Sequence, residues 1–360
     1  GPGAVFWMWA VALMGFIVKF SEITLGMAYR ERDPETGRWH GGFYWYVRRG
    51  LGKSWKWLGI FWAVILGCAM VFAPAVQANS VVEAIRVSFD VPGWIVGVIF
   101  AVIMAVVLVG GIKSISSFAE KVVPLMALAY VIGSIFILVK FGSNIPHVFA
   151  MIFEYAFTPM AATGGFAGAT VMMAIRLGVA RGLFSNESGL GSAPIAAAAA
   201  RTSQPVVQAL ISMTQTFIDT LVVCSMTGLV ILVTGVWTSG KNGAPLTSYA
   251  FETGLPGELG GLIVTIGIIL FAYSTILGWS YYGEKAIEYL LGSKAIIPYR
   301  WAFIISVGLG ASMKLDLVWT LSDIFNALMA FPNLIALIGL AKVVSKALDE
   351  FEQANLADNK

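Results

Sequence analysis

The sequence predicts an all-α membrane protein of about nine transmembrane spans. Three observations carry that expectation. Hydrophobic residues make up 58% of the chain and charged ones 12%, about half the charged share of a soluble domain. Apolar runs of roughly twenty residues, enough to cross the hydrocarbon, recur along the whole chain. Finally, the stretch from Arg181 to Ile195 sets Arg181, Asn186, Glu187, glycines, serines and Pro194 between apolar segments. A continuous membrane helix has no use for that mixture. Glycine and proline free backbone groups that lipid cannot satisfy, so such a break must be enclosed by protein or line a wet cavity.

The spans fall at approximately 3–29, 57–82, 93–111, 119–139, 166–200 (broken), 207–235, 258–283, 299–313 and 316–345. The 299–313 run is the shortest. Pro332 follows Phe331 within the last span and predicts a kink there. In the 140–165 connection the amphipathic patch Val148–Phe157 reads as a helix lying across one mouth. Trp39, Tyr44, Trp45, Tyr46, Trp55 and Trp57 suggest an aromatic belt at headgroup level. Residues 346–360 form a polar tail behind a transmembrane domain of 1–345.

Lysine and arginine set the orientation. One alternate set of loops carries Arg30, Arg32, Arg38, Arg48, Arg49, Lys53, Lys56, Lys113, Lys121, Arg201, Lys285, Lys294, Arg300, Lys342 and Lys346. The opposite set offers Arg86, Lys140, Lys241 and Lys314. The 30–56 loop, the 284–298 loop and the C-terminal tail are therefore expected in the cytoplasm, and the protein in a cell membrane.

Cys68 and Cys224 lie inside apolar runs and read as small core residues with no disulfide or metal role. His40 and His147 stand far apart, which argues against a histidine-centred metal site or triad. No Ser/His pair or metal-spaced acids suggest an enzyme, and the short basic loop needs no nucleic acid to explain it. A broken helix with half-helix ends facing a buried site is the arrangement of secondary transporters. The residues point to that class.

Several motifs then bring a family to mind: Gly1–Trp9 (GPGAVFWMW), Lys19–Glu22 (KFSE), Val76–Ser80 (VQANS), Gly178–Pro194 (GVARGLFSNESGLGSAP) and Thr275–Lys285 (TILGWSYYGEK). Along essentially its whole length the chain resembles the alanine/glycine:sodium symporters, or amino acid carrier proteins, of the amino acid/polyamine/cation transporter superfamily. The resemblance implies an inverted-repeat (LeuT-like) bundle of two five-helix repeats preceded by one extra helix. On that pattern the spans here are core helices two to ten. The chain is then N-terminally truncated, without the extra helix and core helix one, whose own break supplies part of the binding shell.

Candidate site residues follow from chemistry and from that resemblance. Gln77 offers donor and acceptor together, which suits either a neighbouring helix or, as the resemblance implies, the head of an amino acid. Asn79 points to another face and reads as packing. Ser185 and Asn186 present neutral oxygens that suit sodium or an ammonium group. Backbone amides near Gly189 and Gly191 could face a substrate carboxylate, and Gly182 allows close backbone approach. Glu187 reads as a strut or gate paired with Arg181 or Arg176, with an ion-carrying role as the alternative. Lys19 and Glu22, three apart on one face, read as a structural or gating pair. By resemblance Thr275, then Ser274, are sodium ligands, and Trp279 on the same face walls a small side-chain pocket. Asp219 and Asp323 are intramembrane acids left without a partner. The expected activity is sodium-coupled symport of a small neutral amino acid, alanine or glycine, with sodium co-transported. A proton-coupled amino acid or polyamine transporter of the same fold is the alternative.

Overall fold

The computed structural model describes residues 1–32, 34, 37, 39–109, 111–257 and 259–358, the side chains of 87, 88, 109, 111–116, 118, 119 and 358 excepted. Arg38 and the side chain of Lys113, both counted above among the cations, lie outside the described residues. The chain is almost wholly helical. In hydrocarbon an unpaired N–H or C=O is costly, and a helix pairs both within one segment.

Helix α1 (Gly3–Ala28) leads into a two-stranded hairpin, β1 (Glu31–Arg32) with β2 (Trp39–His40), and then into α2 (Phe43–Tyr46) and a π turn. After it come α3 (Lys56–Phe72), α4 (Pro74–Phe89), α5 (Gly93–Val109), α6 (Gly111–Lys140) and α7 (Ile145–Phe157). The middle of the chain holds α8 (Val171–Asn186), α9 (Ala193–Ala197), α10 (Pro205–Thr216), α11 (Ser225–Val233) and α12 (Ala244–Gly254). It closes with α13 (Leu259–Leu291), α14 (Ile296–Gly310), α15 (Leu315–Gly339) and α16 (Ala341–Asp358).

Among the described residues, six helical stretches are long and apolar enough to cross a membrane: Gly3–Ala28, Lys53–Arg86, Glu120–Lys140, Pro205–Val233, Leu259–Leu291 and Leu315–Gly339. The other expected crossings are shorter. α5 has 17 residues and α14 has 15, while the 166–200 run is divided between α8 and α9. The final span ends at Gly339 rather than 345, so the polar tail is the distal part of α16. α7 forms at the amphipathic patch and buries Val148, Ile152 and Ala156, one per turn of the helix.

Helix α1 is the post around which the site is built; it packs against α8, α10 and α9. Gly178 and Gly182, four apart on α8, allow this. A Cβ on Gly178 would lie 2.4 Å from the Ala4 carbonyl oxygen, and one on Gly182 would lie 2.5 Å from Val11 Cγ1. Small residues spaced this way let two membrane helices meet backbone to backbone.

Two readings need correction. Tyr44 and Tyr46 are not headgroup aromatics: both are buried beside Phe43 and Trp62, because the 43–51 segment tucks into the helix cluster. Cys68 is exposed on the outside of α3 rather than in the core. The outer surface is otherwise apolar, with Ile17, Val106, Val139 and Ile338 all largely exposed, as lipid contact requires.

Candidate functional site

Thr170 starts α8 by accepting the Met173 N–H at 3.2 Å, an N-cap that satisfies one of the first-turn donors. The helix stops where Glu187 turns left-handed at φ 55°, followed by Gly189 at φ 91° and Gly191 at φ 79°. The two glycines adopt these angles without a Cβ clash; Glu187 adopts one at a steric cost. The chain resumes as α9, five residues long with Pro194 in its first turn. The carbonyls that follow α9 are collected by Arg30, whose guanidinium donates to Ala198, Ala200 and Thr202 at 2.6–3.0 Å.

Asn186 caps the break from inside. Its Oδ1 accepts the Ser188 N–H at 2.9 Å and its Nδ2 donates to Thr220 Oγ1 at 3.1 Å. Glu22 of α1, fully buried, accepts through Oε1 from the Gly191 N–H at 2.8 Å and from the Asn333 side-chain amide. Asn333 also donates to the Gly189 carbonyl at 2.9 Å and accepts from the Tyr46 hydroxyl. The indole of Trp62 donates to the Leu190 carbonyl at 3.0 Å. The backbone groups freed by the break are thus met by side chains of α1, α3 and α15, with Tyr46 of α2 bracing Asn333, as burial of polar main chain demands.

Beside the break lies a cavity of about 890 Å³. Its wall gathers Gln77 from α4, Ser185, Asn186 and Glu187 from the end of α8, and Ser274, Thr275 and Trp279 from α13. Lys19 of α1 and Asp219, on a π-helical turn over Phe217–Cys224, also line it. Side chains separated by as many as 260 positions therefore face one space. The Gln77 amide makes no hydrogen bond among the described residues and fronts the cavity, whereas Asn79 is tied to the Met313 carbonyl at 2.7 Å. Ser274 is bonded back to Phe271 O at 3.0 Å.

Four expectations fail in detail. Gly189 and Gly191 do not line the cavity, and the Gly191 amide expected to face a substrate carboxylate is taken by Glu22. Glu187 pairs with neither Arg181 nor Arg176; its Oε1 accepts from Trp279 Nε1 at 2.5 Å and its Oε2 from Ser192 Oγ at 2.7 Å. Arg181 reaches across to Asp323 on α15 instead, stacked 3.9 Å over the Trp319 ring. Lys19 and Glu22 form no direct bridge among the described residues: helical spacing put them on neighbouring positions, but Glu22 turns to the break and Lys19 to the cavity. Trp279 accordingly holds a carboxylate as well as walling the cavity. Asn333, Tyr46 and Ser192 were missed. The signal for Asn333 was present, an amide next to Pro332 within an apolar span.

A broken helix, polar main chain locked by buried side chains and a cavity bearing a few convergent polar groups within an apolar helical body define an integral membrane transporter. The comparison with known proteins narrows the class. The profile of the sodium:alanine symporter family matches residues 1–360, and the chain belongs to that family. An uncharacterized transporter of Haemophilus influenzae is 47% identical over 98% of this chain and 77% of its own length. The sodium/alanine symporter AgcS of Methanococcus maripaludis is 44% identical over 98% of this chain and 79% of its own length. A probable sodium/glutamine symporter, GlnT of Bacillus subtilis, is 37% identical over 99% of this chain and 73% of its own length.

Proposed function

We propose that this chain carries out sodium-coupled symport of a small neutral amino acid, alanine or glycine, by alternating access on an inverted-repeat bundle of nine crossings. The observation that carries the reading is the convergence of Gln77, Ser185, Asn186, Thr275 and Trp279 on one cavity at the end of a broken helix. Gln77 meets the substrate head, and Thr275 with Ser274 contributes hydroxyl oxygens to sodium. Family membership and AgcS support alanine, while the name of GlnT, a probable sodium/glutamine symporter, points to a larger side chain for that relative. The cavity is far larger than alanine, so binding requires the two helix bundles to close around it. It extends to Ala196, Ala197 and Gln208, beside the loop that carries Arg201. With the positive loops in the cytoplasm this is an inward-open form, and the C-terminus is cytoplasmic.

Lys19 sustains the second reading. Its ammonium faces the cavity without a bonded partner among the described residues, as a proton-coupled carrier of the same fold would use. Uptake of alanine at fixed pH with sodium replaced by choline separates the two. Loss of uptake is expected; undiminished uptake rejects sodium coupling. Gln77→Ala is expected to remove sodium-dependent uptake while leaving the midpoint of unfolding in detergent unchanged, and normal transport removes Gln77 from the site.

A further inference from the structure

The sequence left Asp219 without a role, and the structure surrounds it with oxygen. Its Oδ2 accepts from Ser185 Oγ at 2.6 Å and from Thr220 Oγ1 at 3.0 Å. Oδ1 takes no hydrogen bond among the described residues, and the residue lines the cavity. Glu187, by contrast, has both oxygens occupied by Trp279 and Ser192. Asp219 thus offers the cavity a carboxylate oxygen that no protein donor satisfies. Arg181 is committed to Asp323 and does not claim this oxygen. Lys19 also lines the cavity, and no bond joins it to Asp219 among the described residues.

We infer that Asp219, Ser185 and Thr220 form a sodium site on the cavity wall, separate from the hydroxyl pair Ser274 and Thr275 on α13. Hard oxygen donors with one formal negative charge suit a small alkali cation better than a soft metal. On binding, the two hydroxyls rotate their hydrogens away from Oδ2 and turn lone pairs to the ion; Oδ1, and water or substrate, fill the remaining positions. The placement also couples ion to helix. Ser185 belongs to the last turn of α8, and Thr220 holds the amide of Asn186 at its end. Occupancy therefore fixes the end of α8 against the π turn, where irregular helix commonly marks function. Lys19 opposes a cation here, but it makes no bond to Asp219 among the described residues and leaves Oδ1 open to the cavity.

The inference rests on the sodium-coupled reading, and one set of measurements tells the two apart. Binding of radioactive sodium and of alanine is measured on the purified protein in detergent. Wild-type alanine binding that is equal in sodium and in choline overturns the reading above, and with it this site. Given a sodium-dependent wild type, Asp219→Asn is expected to weaken sodium binding without amino acid by about 10–100-fold, the scale seen when a metal site loses a supporting group. Unchanged sodium binding overturns the site. If alanine affinity alone falls, Asp219 serves the substrate ammonium group, and the sodium assignment is likewise rejected. Should Asp219→Asn fail to fold, Thr220→Val keeps the charge and removes one oxygen. It should still raise the sodium requirement of alanine binding, and an unaltered requirement overturns the proposal.

Discussion

Glu22→Ala probes what holds the break open. The substitution removes the acceptor of two buried donors, the Gly191 N–H and the Asn333 amide, and neither gains water at a fully buried position. A buried donor left unmade costs about 1–3 kcal/mol, so the pair costs about 2–6 kcal/mol. Glu22→Gln keeps a carbonyl oxygen where Oε1 sits and can retain both bonds; replacing a charged acceptor by a neutral one costs about 1 kcal/mol. The two variants are therefore expected to differ by several kcal/mol. The assay is thermal unfolding in detergent. At about 2–4 °C per kcal/mol for domains of moderate size, Glu22→Ala should fall on the order of 10 °C below Glu22→Gln. Equal midpoints for the two variants would refute the reasoning, since the main chain at 189–191 would then be held by something other than this carboxylate.

Two further outcomes follow from the same geometry. Asp323→Asn strips the counter-ion from Arg181; removing one partner of a buried pair costs about 3–5 kcal/mol, and less here because each side chain keeps roughly 30% of its surface. A fall in both the unfolding midpoint and uptake is expected, and an Asp323→Asn variant with unchanged stability and uptake marks the pair as dispensable. Asn186→Ala should lower stability and uptake together, because the side chain accepts the Ser188 N–H in the break and donates to Thr220; uptake lost at unchanged stability would instead assign it to substrate alone.

Much of this architecture was legible in the linear chain. Lipid leaves no alternative to helix, so the apolar runs mark the crossings, and composition marks the class. The break was legible for the same reason: Gly189 and Gly191 loosen a helix, Pro194 cannot sit in its interior, and Glu187 is a charge that a lipid-facing crossing would not carry. Gln77 could be singled out because an amide in an apolar span requires an explanation, whereas Thr275 stood out only through the family resemblance.

Pairing was not legible. Within one helix, spacing of three or four residues sets which side chains are neighbours, which put Lys19 with Glu22, while opposite charge in the same run put Glu187 with Arg181 or Arg176. The structure overrides both, because the strongest claims on a buried carboxylate come from donors on other helices. Gly191 and Asn333 reach Glu22, Trp279 and Ser192 reach Glu187, and Asp323 reaches Arg181. Local periodicity says nothing about separations of 169 or 311 positions. The amino-acid sequence by itself determined a helical membrane body with one interrupted crossing, since solvation of the backbone is a local matter. Only the packed bundle decided which buried groups satisfy one another, and so which oxygens remain free for cargo, since that depends on how whole helices meet.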